Sequence, residues 1–559
     1  MRRTLYFVFF AVAFFGVLFT TPLGLGLSPD SISYLKGSIG LVSGQGLTYV
    51  SAQWPPLYPV LVALFGWPNG DVILGARLVN GLFYAGNFVL LAELVRRTTK
   101  HNVSLAVVLA GLICIQIPMT YVHFYAWSEP CLLFCILTNL LLLSELRTSK
   151  SPSLIQIALI AVASLAFLTR FAGIIVAATN CVMIFVLVTD RSMWVRGLRA
   201  AVQLLIPILI FLPWTSHQGI SDGAATARMI AFHPISLETT SRGFMTVGRW
   251  LNPLSSPGYE QPFSLAPVLL GVFVLSSVLA ILIWALLRII ATLRGRLDLT
   301  SNNIFSHQEN VIVVSSALLT LTYVFFLIGA LSFVDNKVSL DNRILVLMYP
   351  SVILCAIGLI YKIRTKPAHY LILFALVLAM STALPSLKSW LLLSRYGGIE
   401  MNSQSVTKSP LQSFIRSCAK TLQVYADNPW NFDLHFNKKV LWLPAQTLYN
   451  SGRLNLNYAN DVKTFQANAE MVVIENGNTE IITELNRNAE FMPIRTNSDG
   501  LVWVKRHVAH HCIVNPEPMP KAGFNSFSPS STNRAHGSAL SQHRPFLGIS
   551  ITAPKFVVF

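Results

Sequence analysis

Residues 27–66, LSPDSISYLKGSIGLVSGQGLTYVSAQWPPLYPVLVALFG, decide how this chain reads. The stretch follows one apolar run and precedes another, and its start is too polar to cross a bilayer. Asp30 lies just past the first apolar run, and Tyr34, four residues on, shares a helical face with it. Gly44 and Gly46 break that helix, and Trp54-Pro55-Pro56 opens a second short apolar piece. The stretch therefore reads as a long first external loop, with two interfacial helices, that presents a carboxylate at a membrane surface.

Composition sets the frame for this loop. Of 559 residues, 53% are hydrophobic and only 12% are charged, about half the ~25% of soluble domains. Mean hydropathy is +0.57. The chain is a polytopic membrane protein. A formal charge of +17 suggests nucleic acid in a soluble protein. Here most basic residues before the C-terminal region fall in short loops between apolar runs, where they set topology. Cys114, Cys131, Cys135, Cys181 and Cys355 lie in apolar runs and read as small hydrophobes. No C-x-x-C or Cys/His cluster suggests a metal. Cys418 and Cys512 lie in the polar C-terminal region, where a disulfide requires an extracytoplasmic setting.

Apolar runs begin at Leu5 and recur near 72–95, 103–118, 128–146, 154–169, 171–189, 200–214, 264–290, 311–333, 343–361 and 368–391, giving about eleven transmembrane helices. The first run resembles a signal peptide but lacks a small-x-small cleavage site, so a retained helix is expected. With the N-terminus inside, sixteen Lys and Arg fall in inner segments, Arg2, Arg3, Arg96 and Arg97 among them, against seven outside. That asymmetry fits the positive-inside rule, and an odd number of spans puts the C-terminal region outside. Two outer loops are long, 24–71 and 215–263. Three parts follow: a membrane module over 1–391, a small extracytoplasmic α/β domain over 392–515, and a disordered tail over 516–559. Val440–Leu443 and Met471–Ile474 are strand candidates, and 491–504 reads as a hairpin about Asn497-Ser498-Asp499-Gly500. Helical pieces are expected near 410–424 and 460–468.

Asp30 is the leading candidate for chemistry, because a carboxylate facing an apolar groove can act as a general base toward a hydroxyl. Ser28-Pro29-Asp30 also suits a helix cap. Glu129 stands at a helix start, where the dipole favours an acid, and could pair with Arg170 or Arg77. Arg343 and Arg170 lie at outer helix ends; each also reads as a snorkelling or helix-pairing charge.

Four stretches, in order, resemble the GT-C superfamily of membrane glycosyltransferases. They are Ser28-Pro29-Asp30-Ser31-Ile32-Ser33-Tyr34-Leu35 with Trp54-Pro55-Pro56-Leu57-Tyr58-Pro59; Ala76-Arg77-Leu78-Val79-Asn80; Ser128-Glu129-Pro130 with Leu168-Thr169-Arg170; and Asp341-Asn342-Arg343-Ile344-Leu345 with Tyr349-Pro350. The resemblance covers roughly 1–391 and is nearest to protein O-mannosyltransferases and lipid A aminoarabinose transferases. It implies an all-α GT-C-like membrane fold and inverting transfer of a sugar from a polyprenyl-phosphate carrier to an acceptor hydroxyl on the outer face. It maps the catalytic acid onto Asp30, with Glu129 as a secondary acid. Arg343, Arg170, Lys337 and Arg249 are its phosphate-binding candidates; Tyr34, Trp54 and Tyr58 are its sugar or lipid contacts. Where protein O-mannosyltransferases carry an Asp-Glu pair, this chain has Asp30-Ser31, which leaves a divalent metal without that ligand. Where the aminoarabinose transferases carry E-K-P-P, this chain has Gln53-Trp54-Pro55-Pro56, which removes one phosphate contact. No cofactor is certain; a divalent metal is possible, though nothing in the sequence supports one. The implied partners are a lipid-linked sugar donor, an unspecified lipid, protein or glycan acceptor, and membrane lipids, with no nucleic acid. Lack of large insert domains points to a bacterial inner membrane. A lipid-linked-sugar flippase and a non-catalytic assembly protein are the competing readings.

Overall fold

The computed structural model describes residues 2–513 apart from 48–49, 52–53, 100–102, 189–191, 222–231, 252–262, 294–304, 306, 336–337, 363–379, 382, 385, 389, 392–393, 395–398, 400, 419–421, 430–431, 433–439, 447–453, 476–478 and 498–499. The described residues fall into two compact units that part at Ser403 and Gln404.

The first unit is helical. Its elements are α1 (Arg2–Thr20), α2 (Pro29–Val42), α3 (Leu57–Gly66), α4 (Val72–Thr98), α5 (Val103–Ile115), α6 (Ile117–His123), α7 (Glu129–Glu145), α8 (Pro152–Thr169), α9 (Ile174–Leu187), α10 (Met193–Ser221), α11 (Leu237–Arg249), α12 (Leu265–Leu293), α13 (Gln308–Phe333), α14 (Asn342–Leu345) and α15 (Tyr349–Lys362). Among the described residues six helices are long and apolar enough to cross a membrane, or seven if the bent pair α5–α6 is one span. Phe171–Leu187 and Tyr349–Lys362 are shorter apolar helices. The chain is a multi-pass membrane protein.

The structure departs from the sequence expectation of eleven simple spans in one described place. The run expected as one span over 103–118 breaks at Gln116, because Pro118 opens a new helix that turns by 65°. The run expected over 368–391 lies largely outside the described residues.

Helix α4 packs against α1, α3, α5 and α7 and so centres the bundle. At its C-terminal end Glu93 accepts from Tyr6 Oη at 3.0 Å, from Arg96 Nη2 at 2.6 Å and from Arg97 Nε at 2.9 Å. Arg97 also reaches Glu145 Oε1 at 2.5 Å, so charge pairs join the ends of α1, α4 and α7. Such a buried group of charges persists only when its members satisfy one another.

The second unit carries a five-stranded mixed sheet, ordered β2-β1-β3-β5-β4, from β1 (Val424–Ala426), β2 (Leu441–Trp442), β3 (Met471–Ile474), β4 (Phe491–Asn497) and β5 (Gly500–Lys505). Strands β2, β1 and β3 are parallel; β5 runs antiparallel to both β3 and β4. Alternate residues serve opposite faces. Val424, Met471, Val473, Val502 and Val504 join Leu411 and Ile415 in one core, while Tyr425, Val472, Ile474 and Trp503 join Phe465 in the other. Gly500, with φ +153°, closes the β4–β5 hairpin opposite Asn497. The helical piece expected near 410–424 ends at Cys418, 419–421 lie outside the described residues, and only its last residue, Val424, falls in β1.

Cys418 and Cys512 form a disulfide across a sequence separation of 94, with Cα atoms 4.8 Å apart. A bridge over so long a loop stabilises by about 2–4 kcal/mol. Cys418→Ser in the full chain is therefore expected to lower the protease resistance of the second unit and leave the membrane unit intact. Limited proteolysis followed by mass spectrometry reads both units in one sample.

Candidate active site

The site begins with a short backbone pairing. Gly26 N donates to Phe124 O at 2.7 Å, and Ala126 N donates to Gly26 O at 3.0 Å. The two paired segments then each open a helix, and each helix carries an acid in its first turn: Asp30 on α2 and Glu129 on α7. Ser28, not Asp30, caps α2, since its Oγ accepts from Ser31 N at 3.4 Å. Asp30 thus does not serve as the cap that the sequence allows. Gly44 and Gly46, at φ +77° and +74°, end the α2 segment as expected of glycines in the left-handed region.

Arg343 completes the pairing. Asp341 caps the four-residue α14, accepting from Arg343 N at 2.8 Å and Ile344 N at 3.1 Å, and so fixes the arginine backbone. Arg343 Nη2 lies 2.5 Å from Asp30 Oδ2, and Arg343 Nε donates to Glu129 Oε1 at 2.7 Å. Arg170, between α8 and α9, puts Nη1 2.8 Å from the same Oε1. The charges therefore alternate in one chain: Asp30, Arg343, Glu129, Arg170. Exposure is greatest at Asp30, and Arg170 is 12% exposed. The Asp30 side chain is 27% exposed, Arg343 16%, and Glu129 1%.

Electrostatics follow from that burial. Burial works to lower the Arg343 pKa, but the carboxylates of Glu129 and Asp30 together raise it well above the ordinary arginine value. Arg170 shows the same balance: burial opposes its charge, Glu129 supports it, and the result is upward. Both remain cations at every working pH.

Two atoms in this group make no aligned hydrogen bond. Glu129 Oε2 is buried and makes no hydrogen bond. Arg343 Nη2 contacts Asp30 as an ion pair yet is also without an aligned hydrogen bond.

Aromatic rings line the group. Arg343 Cζ lies 4.2 Å over the Trp127 ring, and Arg170 Cζ lies 5.6 Å over Trp54. The sequence reading did not single out Trp127, which looks like any aromatic before a helix. Trp54, expected as a sugar contact, packs on Tyr34 at 5.6 Å. Tyr34 and Tyr58, expected as sugar or lipid contacts, are instead buried. Tyr34 Oη shares a 3.0 Å hydrogen bond with Ser128 Oγ, and Tyr58 Oη donates to Asn80 Oδ1 at 2.9 Å. Asn80 in turn donates to Tyr125 O at 2.6 Å. These hydroxyls turn inward because polar partners wait there, and burial pushes both phenols up.

The remaining expected residues lie elsewhere or outside the description. Arg249 closes α11, half-buried, with Nη2 3.3 Å from Met245 Sδ; burial lowers its pKa. Lys337 lies outside the described residues. Arg77 does not meet Glu129: it donates to Leu18 O at 2.8 Å. Among the described residues no three His, Cys, Asp or Glu side chains cluster to hold a metal. Asp30 and Glu129 also both face Arg343, so a cation between them would meet a guanidinium, and this donor set does not fit one.

No family model matches the chain, and no curated protein matches it. Solved structures do. ArnT from Cupriavidus metallidurans in the apo state is 12% identical, over 90% of this chain and 98% of that one, with a TM-score of 0.47. The same protein bound to undecaprenyl phosphate is 13% identical, over 89% and 97%, at 0.46. The archaeal oligosaccharyltransferase AglB from Archaeoglobus fulgidus, in complex with an inhibitory peptide and a dolichol-phosphate, is 12% identical, over 85% and 70%, at 0.49.

Proposed function

We propose that this protein is an inverting glycosyltransferase that moves a sugar from a polyprenyl-phosphate carrier to an acceptor hydroxyl on the outer face of the membrane. The observation that carries this is Arg343, held between Asp30 and Glu129 with one donor atom unaligned, beside a second arginine. A phosphate leaving group needs such donors where its charge develops. Arginine supplies them as a rigid fork.

The roles follow from exposure. Asp30, the most open of the four, is the base. It takes the proton as the acceptor oxygen attacks the anomeric carbon from the face opposite the phosphate. The bond from that carbon to the phosphate oxygen breaks, and its electron pair leaves with the carrier. Arg343 and Arg170 receive the departing phosphate. Glu129 holds both guanidiniums through one oxygen and keeps the other for the sugar. The disulfide of the second unit supports an oxidising compartment for it, and the basic inner loops support the same orientation. The tail expected over 516–559 lies outside the described residues, and the acceptor is taken as a lipid, protein or glycan.

The test is donor-dependent transfer. Purified protein in detergent is offered polyprenyl-phosphate carriers bearing different labelled sugars together with membrane extract as acceptor source. Release of free carrier with inverted sugar is the expected result. Carrier movement across vesicles without any cleavage would replace this reading with lipid-sugar transport.

A further inference from the structure

We infer that Trp127 is a positioning residue for this transfer, fixing the Arg343 guanidinium and the first turn of α2 against one another. The inference rests on the reading above, since it treats Arg343 as the phosphate site and Asp30 as the base.

Three observations meet at one ring. Its face carries Arg343 Cζ at 4.2 Å. Its Nε1–H donates to Ser28 Oγ at 2.7 Å. Ser28 is the cap of the helix on which Asp30 stands. The ring itself cannot turn: it is 3% exposed, stacks on Tyr125 at 4.2 Å and 13°, and meets Tyr121 edge-on at 5.2 Å.

The indole therefore has two separable jobs. Its face holds a planar cation by its underside, which leaves the in-plane N–H groups for Glu129, Asp30 and an arriving phosphate. Its N–H ties the start of α2 to the same plate. Base and phosphate site are thereby set at one distance, although they come from opposite ends of the membrane unit. A buried indole N–H needs a partner in any case, but a tryptophan that only filled space would not need that partner to be the cap of the Asp30 helix, nor a cation on its face.

The test uses full-length protein in detergent. Trp127→Phe keeps a face and removes the N–H; Ser28→Ala removes the other end of the same bond; Trp127→Leu removes both jobs. The readouts are kcat and KM for the sugar-loaded carrier, and Kd for undecaprenyl phosphate alone. Trp127→Phe is expected to lower kcat by about 10–100-fold, as a misplaced base does, with Kd and KM unchanged. Trp127→Leu should also weaken carrier binding by about tenfold, the order of one desolvated cation–aromatic contact. The double variant Trp127→Phe/Ser28→Ala should match Ser28→Ala alone, because once Ser28→Ala has removed the α2 cap and the acceptor, the indole N–H has no bond to it left to lose. Additive losses in that pair, or equal loss of kcat and binding in Trp127→Phe, overturn the inference. If Trp127→Leu does not fold, the Phe/Ala pair decides. A wild type that neither binds nor cleaves the carrier overturns the functional reading, and this inference with it; one that does both without the split overturns the inference alone.

Discussion

Asp30→Asn is expected to cut sugar transfer by about 10²–10⁴-fold, the worth of a positioned general base, while binding of undecaprenyl phosphate stays the same or tightens. The structure separates these effects. Asparagine keeps the size of aspartate and removes only its basicity and charge. The cap of α2 is Ser28, so the helix keeps its start. A first-turn acid contributes only about 0.3–1 kcal/mol through the helix dipole, and the fold should tolerate its loss. Arg343 keeps Glu129 Oε1 at 2.7 Å and so keeps its place. With Asp30 neutral, an incoming phosphate no longer competes with a carboxylate for Arg343 Nη2. Turnover and carrier affinity should therefore move apart. If both fall together in side-by-side kinetics and binding, Asp30 holds the donor and is not the base.

What the sequence made legible was charge at the ends of apolar runs. Asp30, Glu129, Arg170 and Arg343 stand out because an ionisable group beside a bilayer is costly and needs a reason. What it did not make legible was which of them meet. Nothing in the spacing says that Arg343 passes over Glu129 to reach Asp30, since that depends on a four-residue helix capped by Asp341. The pairing of Gly26 with Phe124 and Ala126 was equally hidden, because a single bridge has no period to read. Helical spacing correctly put Tyr34 on one face with Asp30, yet a period gives a face and not its partner. Ser128 supplied an inward partner, and Tyr34 turned to it. Trp127 escaped notice for a related reason: its work is done by a ring face and one N–H, and neither has a sequence signature.

Glu129→Leu is expected to lower stability by about 3–5 kcal/mol, because it strips the shared counter-charge from buried guanidiniums. Glu129 Oε1 alone receives Arg170 Nη1 at 2.8 Å and Arg343 Nε at 2.7 Å, in a side chain only 1% exposed. Without it Arg343 retains Asp30, but among the described residues Arg170 retains only Ser128 Oγ at 3.2 Å and the ring of Trp54. Glu129→Gln should cost less, since an amide oxygen still accepts from both arginines though it brings no charge. The double variant Glu129→Leu/Arg170→Leu is the sharper measurement. Removing both partners of a buried pair is often near neutral, so thermal unfolding in detergent should recover much of the single-variant loss. Transfer should not recover with it, because the phosphate has lost one of its two cations. A Glu129→Leu protein that unfolds with the wild type would mean that the alternating row of charges contributes nothing to the fold. Recovered transfer in the double variant would remove Arg170 from the phosphate site.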